Sequence, residues 1–449
     1  MFFSPAHEFY LTGILKTEVL RGLIPGMEKV TLWMPPVYML YLSGVFHFFS
    51  PDIFIARMAS SLAALGSAFL LYTFLGQWKI SQKKRILIFV LVLTDFLFIK
   101  TTHSSRMESL CLFFALGGLN ILGKYISEKS FLGMILAGVF FSFSFLSHPF
   151  GAVYGVVSLY FLYEKNFFQL KSLIFLLVGF LLPLLVWASY IIPYYDLFLL
   201  QFGAQFSRKS ELFSTFSQIT KIKIIVSSFR FPFVRLFLFF VLGLGLFLYR
   251  KNLKSENNGL FQFAVFWLLS ILLFLYISSE SWYVVYIIPP VAILTGLFFG
   301  KKEIIPKGIV FLSIGLNIFI LVWVVIQNFI IIDTPKKTNE FYSLIENEII
   351  NKNKIYIQSI PDPYFYLKKK FPEKTYLEFI PGELSLPPEY YLDTIKKQEA
   401  FLFYNEDLIN PNIKKYLSEN PNHFERKVIQ VDTGNEKELK LETFLYIRK

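Results

Sequence analysis

The first 332 residues carry one apolar run after another, and this feature limits the fold more than any other. The runs last roughly 15–25 residues and do not alternate, so they read as membrane-spanning helices and not as strands of a transmembrane barrel. Ten candidate spans follow at 54–76, 86–101, 108–126, 131–147, 150–163, 170–192, 232–249, 260–278, 282–299 and 307–331. The run at 37–49 follows Pro35-Pro36 and is too short to span, which suits an interfacial helix. With 55% hydrophobic and only 17% charged residues, the chain is neither an ordinary soluble enzyme nor disordered. One cysteine, Cys111, excludes a disulfide framework and multi-cysteine metal sites, and five histidines leave little for a His-rich one.

Charge between the runs orders the topology. Lys79, Lys83, Lys84 and Arg85 follow the first span, and Lys124 and Lys129 the third. Lys165 and Lys171 follow the fifth, Arg250, Lys251 and Lys254 the seventh, and Lys301, Lys302 and Lys307 the ninth. Every second loop is basic, which makes those loops cytoplasmic. The net charge of +12 is therefore explained by topology, and nucleic acid is not an expected partner. The same parity puts the N-terminal segment, the loop 193–231 and the tail outside, provided 37–49 does not cross. An outer N-terminus implies either a spanning helix upstream in a longer form or a short tail translocated by the first span.

Residues 333–449 are polar, with no run able to cross a bilayer, so a boundary falls at about 333–335. The expected architecture is a polytopic α-helical membrane protein with a C-terminal soluble α/β domain. In the tail, 354–359, 375–379, 400–404, 424–431 and 441–448 read as strands. Residues 336–350, 362–370, 388–398 and 411–420 read as helices. No phosphate loop or nucleophile elbow is present there.

The informative polar residues collect on the outer side. His7-Glu8 lies in a helical pattern, where an exposed carboxylate is the plainer reading. Arg106 and Glu108 flank the start of a span, where charge is costly and a functional role competes with snorkelling. In Ser147-His148-Pro149, a lone histidine at a helix end is first read as a cap or a hydrogen-bonded structural residue. Arg208, Lys209, Lys221, Lys223 and Arg230 run against the positive-inside tendency, which points to anionic ligands, while a solvated loop is the plainer reading for any one of them. Trp282 and Tyr283 suit an interfacial aromatic belt.

The order of these pieces resembles the GT-C superfamily of membrane glycosyltransferases. Within it, the chain is most similar to the branch of protein O-mannosyltransferases and bacterial aminoarabinose transferases that modify lipid A. The pieces are His7-Glu8, Leu20-Arg21-Gly22-Leu23-Ile24-Pro25, Met34-Pro35-Pro36-Val37-Tyr38, and Phe54-Ile55-Ala56-Arg57-Met58-Ala59-Ser60. Arg106-Met107-Glu108, Ser147-His148-Pro149-Phe150-Gly151 and the segment from Trp282-Tyr283 to Pro289 complete the set. The resemblance implies inverting transfer of a sugar from a polyprenyl-phosphate carrier to an acceptor hydroxyl, in a bacterial inner membrane. His7 or Glu8 would be the base, with Glu108 orienting the acceptor or sharing a divalent metal with Glu8. Arg57, Arg106, His148, Arg208 and Tyr283 would serve the donor phosphate. The family usually has Asp where this chain has His7, so the base is His7, Glu8 or a residue one register away. Two other classes stay open: an inactive scaffold, and a transporter or flippase, although no internal repeat or broken helix is legible.

Reporter fusions test the orientation. A periplasmic-type reporter fused after Ile332 is expected to be active and a cytoplasmic one silent; the opposite pattern would invert the topology.

Overall fold

The computed structural model describes residues 3–128, 130–204, 218–229, 231–278, 280–299, 303–331, 334–378, 389, 391–432 and 441–449. The chain begins with α1 (Phe3–Thr12), a loop over 13–36, and the short α2 (Val37–Phe46). The membrane bundle then holds α3 (Ile53–Gln77), α4 (Gln82–Leu93), α5 (Phe96–His103), α6 (Glu108–Glu128), α7 (Phe131–Ser147), α8 (Ala152–Glu164) and α9 (Leu170–Ile191). It continues through α10 (Gln218–Ser227), α11 (Pro232–Ser278), α12 (Ile288–Leu297) and α13 (Ile304–Ile331).

Among the described residues, six helices are long and apolar enough to cross a membrane, or seven if the bent pair α4 and α5 counts as one. Ten were expected. The helix at 288–297 is short and almost wholly buried inside the bundle, whereas those at 131–147 and 152–164 are also short but expose Leu132, Leu136, Val156, Leu159 and Tyr163 on one face. Hydropathy does not distinguish a short core helix from a span, because both bury apolar residues all round.

The helical run at Pro232–Ser278 contains two candidate spans, Pro232–Tyr249 and Asn258–Ser278. It doubles back. The Nζ of Lys221 is 5.0 Å from the Tyr276 ring, and Phe229, eight residues further on, packs at 5.4 Å on Phe239 near the run's other end. A straight helix would hold residues 239 and 276 about 55 Å apart. After a 3-10 turn at Ile192–Tyr194, helix resumes through residue 204, where a loop was expected.

Small residues bring the helices together. A Cβ on Gly138 would lie 2.2 Å from the Leu176 carbonyl oxygen, and one on Gly179 2.0 Å from that of Ile135. Only glycines allow α7 and α9 this approach, the usual device where hydrocarbon supplies no hydrophobic drive. At one end of the bundle Lys165 lies 3.4 Å over the Trp78 ring, and Gly259 faces both Trp78 and Glu164.

The expected span 86–101 is broken, with a 54° bend between α4 and α5. The break was not legible as such, although Asp95 interrupts the apolar run. Asp95 leaves the helix, and its Oδ1 accepts the Leu97 N–H at 2.9 Å to cap α5. Its Oδ2 accepts from Arg235 Nη2 at 2.5 Å, with both side chains almost fully buried. Asn317 Nδ2 donates to the freed Leu91 carbonyl at 3.0 Å.

The C-terminal domain places all five strands where the sequence puts them. Its helices are α14 (Thr334–Ile349), α15 (Tyr364–Lys370), α16 (Leu392–Lys396) and α17 (Pro411–Glu419). The strands β1 (Lys354–Gln358), β2 (Thr375–Glu378), β3 (Ala400–Phe403), β4 (Phe424–Val431) and β5 (Leu441–Arg448) lie in the order β2-β1-β3-β5-β4. The first three pair in parallel, and β5 is antiparallel to both neighbours. The alternating burial of β5 shows one face against the core.

Arg235→Ala is expected to destabilise by about 3–5 kcal/mol, because it strands a buried carboxylate. The double change Asp95→Asn with Arg235→Leu should recover most of that loss. Thermal unfolding of the purified protein measures both, and a loss below about 1 kcal/mol in the single variant would show the pair to be dispensable.

Candidate active site

The site is built around a tight turn between α5 and α6. Ser105 adopts a left-handed backbone (φ 50°), a conformation that costs a non-glycine residue about 1–3 kcal/mol. Its Oγ shares a hydrogen bond of 3.1 Å with the Tyr38 hydroxyl, which lies 2.8 Å from Ser60 Oγ, so α2 and α3 hold the turn. The turn delivers Arg106 and Glu108 to the start of α6, where the helix dipole favours the carboxylate.

Arg106 grips Glu108 with a fork. Nη2 donates to Oε1 at 2.6 Å, and Nε donates to Oε1 and Oε2 at 3.0 and 3.1 Å. The Glu108 side chain has no exposed surface, while that of Arg106 keeps 20%. This pair is one deeply set ionic unit with a single accessible end, the guanidinium. Sequence singles out both residues, Arg106 for the donor phosphate and Glu108 for the acceptor or a metal, but not their closure on each other.

Arg106 also lies 4.5 Å from the centroid of the Trp282 ring, and Lys100 Nζ lies 5.0 Å from the same centroid. Around them is a cavity of about 360 Å³, lined by Phe3, Ile53, Ala56, Ser104, Ser105, Arg106 and Trp282. No sequence pattern marks Lys100, and Trp282, expected in an interfacial belt, lines the cavity. A second groove of about 570 Å³ between α11 and α13 is lined by apolar residues and glycine.

The other expected residues fall around this centre. His148 is buried and caps the 3-10 turn Pro149–Gly151, its Nδ1 accepting the Phe150 N–H at 3.1 Å. That matches the cap reading. Its ring meets that of Tyr283 edge-on at 4.6 Å, and neither residue lines the cavity. Arg57 is exposed, one residue from the lining Ala56. Lys221 is buried and Lys223 exposed. Arg208, with Lys209 and Arg230, lies outside the described residues.

His7 and Glu8 are half-buried on α1. They do not line the cavity, but Phe3 does, one turn before His7 and 6.1 Å from its ring. Glu8 is 3.9 Å from Lys16. Burial, and then the Lys368 charge, push the His7 pKa below its ordinary value, so the ring is neutral at neutral pH. Burial raises the Glu8 carboxyl, opposed by Lys16 and Lys368 and assisted by Glu18.

The donor set does not suit a metal shared by Glu8 and Glu108. Among the described residues, no group of three or more His, Cys, Asp or Glu side chains could hold an ion. Both Glu108 oxygens already accept from Arg106.

No protein-family profile matches the chain, and no curated protein matches it. Among solved structures, the crystal structure of ArnT from Cupriavidus metallidurans in the apo state is similar, with a TM-score of 0.54 and 11% sequence identity. The match covers 99% of this chain and 92% of that one, so it takes in the tail domain as well as the bundle. At that identity the likeness is one of fold alone: the chain shares the overall architecture of that structure along almost its whole length.

Proposed function

We propose that this protein is a membrane glycosyltransferase. In this reading it moves a sugar from a polyprenyl-phosphate carrier to an acceptor hydroxyl on the outer side of the membrane, with inversion. The observation that carries the reading is the buried Arg106–Glu108 fork in the wall of a cavity at the helix ends, within an ArnT-like fold. The acceptor hydroxyl would attack the anomeric carbon as the bond from that carbon to the phosphate oxygen breaks. The lipid phosphate leaves with the bonding electrons, and a base takes the hydroxyl proton.

Arg106 is the candidate for the phosphate charge, because its guanidinium keeps an exposed end on the cavity. Arg57, His148, Arg208 and Tyr283 remain proposed contributors. Glu108 orients Arg106 and, with it, the donor. His7 or Glu8 is the proposed base, and burial suits either: it leaves the imidazole neutral and makes the carboxylate more basic. No step is routed through a metal.

The bent α4–α5 pair with its buried charges favours a second reading, a carrier of the lipid-linked sugar. One assay separates the two. Purified protein in nanodiscs is given a panel of radiolabelled polyprenyl-phosphate sugars and acceptors. Release of the lipid phosphate supports transfer, whereas movement of intact donor across a vesicle supports transport.

In the transfer assay, Arg106→Lys keeps the charge but loses the fork. It should lower donor affinity on the order of tenfold to a hundredfold, through about 1.5–3 kcal/mol of lost contact. Unchanged donor binding in Arg106→Lys would move the phosphate site elsewhere.

The pH profile identifies the base. A base acts deprotonated, so activity is present above its pKa and lost as pH falls through it. If His7 is the base, the acid limb should lie below the ordinary histidine value and change shape in His7→Asn. If Glu8 is the base, the limb should lie above the ordinary glutamate value and disappear in Glu8→Gln. A limb untouched by both changes would clear α1 of the role.

A further inference from the structure

Phe3 belongs to two parts of the molecule at once. Its ring lines the cavity beside Arg106 and Trp282. The same ring packs edge-on against Phe365 of the C-terminal domain, with centroids 4.3 Å apart and planes at 69°. Phe46 of α2 supports it from within the membrane part at 5.0 Å. The helix carrying Phe3 is thus held between the bundle and the tail domain.

The contact extends along the loop 13–36. Ser4 Oγ and Thr17 Oγ1 lie 2.8 Å apart, tying α1 to this loop. The Glu378 N–H at the end of β2 donates to the Val19 carbonyl at 2.8 Å. Gly22, at φ 66°, sits so close to α16 that a Cβ would lie 2.5 Å from the Thr394 hydroxyl oxygen. Val19, Leu20, Leu23, Ile24 and Met27 are buried in the same apolar cluster as the tail domain's core. On the opposite side Gln201 accepts the Leu32 N–H at 2.8 Å and donates to the Pro25 and Val30 carbonyls, each at 3.1 Å. This loop is therefore part of the domain's hydrophobic structure and not a free connection.

We propose that the C-terminal domain shapes the cavity without lining it: Phe365 is a positioning residue that, through Phe3, fixes α1 beside the cavity, and the loop 13–36 is the strap that holds the domain there. The claim concerns the shape and accessibility of the cavity and holds whatever ligand the cavity takes. It gives the tail domain a task that needs no chemistry of its own.

The test uses the full chain in lipid nanodiscs and no substrate. Ala56, which lines the cavity and is 1% exposed, is changed to cysteine, and its reaction with a charged maleimide is timed. The native Cys111 is fully buried, so the chain without the Ala56→Cys change supplies the background. Adding Phe365→Ala is expected to speed labelling by roughly three- to tenfold, the range that loss of one aromatic pair corresponds to. Hydrogen exchange over residues 3–12 should accelerate in the same variant. Phe365→Tyr keeps the ring and should restore both readouts, which a general loss of stability would not predict. If Phe365→Ala does not fold, Phe365→Leu removes the ring at nearly the same bulk and is read in its place. Labelling and exchange both within twofold of the parent, in whichever variant is folded, would overturn the proposal.

Discussion

Inside hydrocarbon a polar group with no partner costs several kcal/mol, and this constraint shapes the break in the α4–α5 pair and the start of α6. The break at Thr94-Asp95 survives because each group it frees is met. Asp95 caps the next helix, Arg235 answers the remaining oxygen, and Asn317 takes the stranded carbonyl. The Arg106–Glu108 fork follows the same rule at the start of α6. In both places an acid is tolerated because an arginine reaches it with good geometry.

These two pairs relate to each other through α5. The break at Asp95 sets the direction of this eight-residue helix, and its far end carries Lys100, Ser104 and Ser105 to the cavity. The strained Ser105 turn then reverses the chain into Arg106. A short helix between a capped break and a strained turn has little freedom, which suits a wall that must present a charge at one place. The Phe3 side of the cavity is different. There α1 supplies Phe3, and the packing that holds α1 comes partly from the tail domain.

The arrangement also explains why His7 and Glu8 look unremarkable in isolation. They sit one turn beyond the cavity wall, half-buried, and their protonation responds to Lys16 and to Lys368 of the tail domain. Sequence reading placed no site residue in the tail and treated it as a separate unit, because Lys368 and Phe365 lie more than 350 residues from α1. No local pattern links positions so far apart.

What the sequence determined by itself is whatever follows from local periodicity and composition. The apolar runs called for helices long enough to cross a membrane, the polar tail for an α/β layer, and its five strands were legible as short runs rich in β-branched and aromatic residues. Charge at a span boundary marked Arg106 and Glu108 each as a candidate, and a lone histidine at a helix end, His148, fitted a cap or a structural hydrogen bond. Tertiary structure alone decided that Ile288–Leu297 is enclosed by protein, because hydropathy measures burial without saying whether lipid or protein provides it. It also decided that Asp95 meets Arg235 across 140 residues, that Lys100 and Arg106 share the Trp282 ring, and that the first loop folds into the tail domain's core. Each of these rests on a contact between distant segments, whose energy depends on geometry in space and leaves no period in the chain.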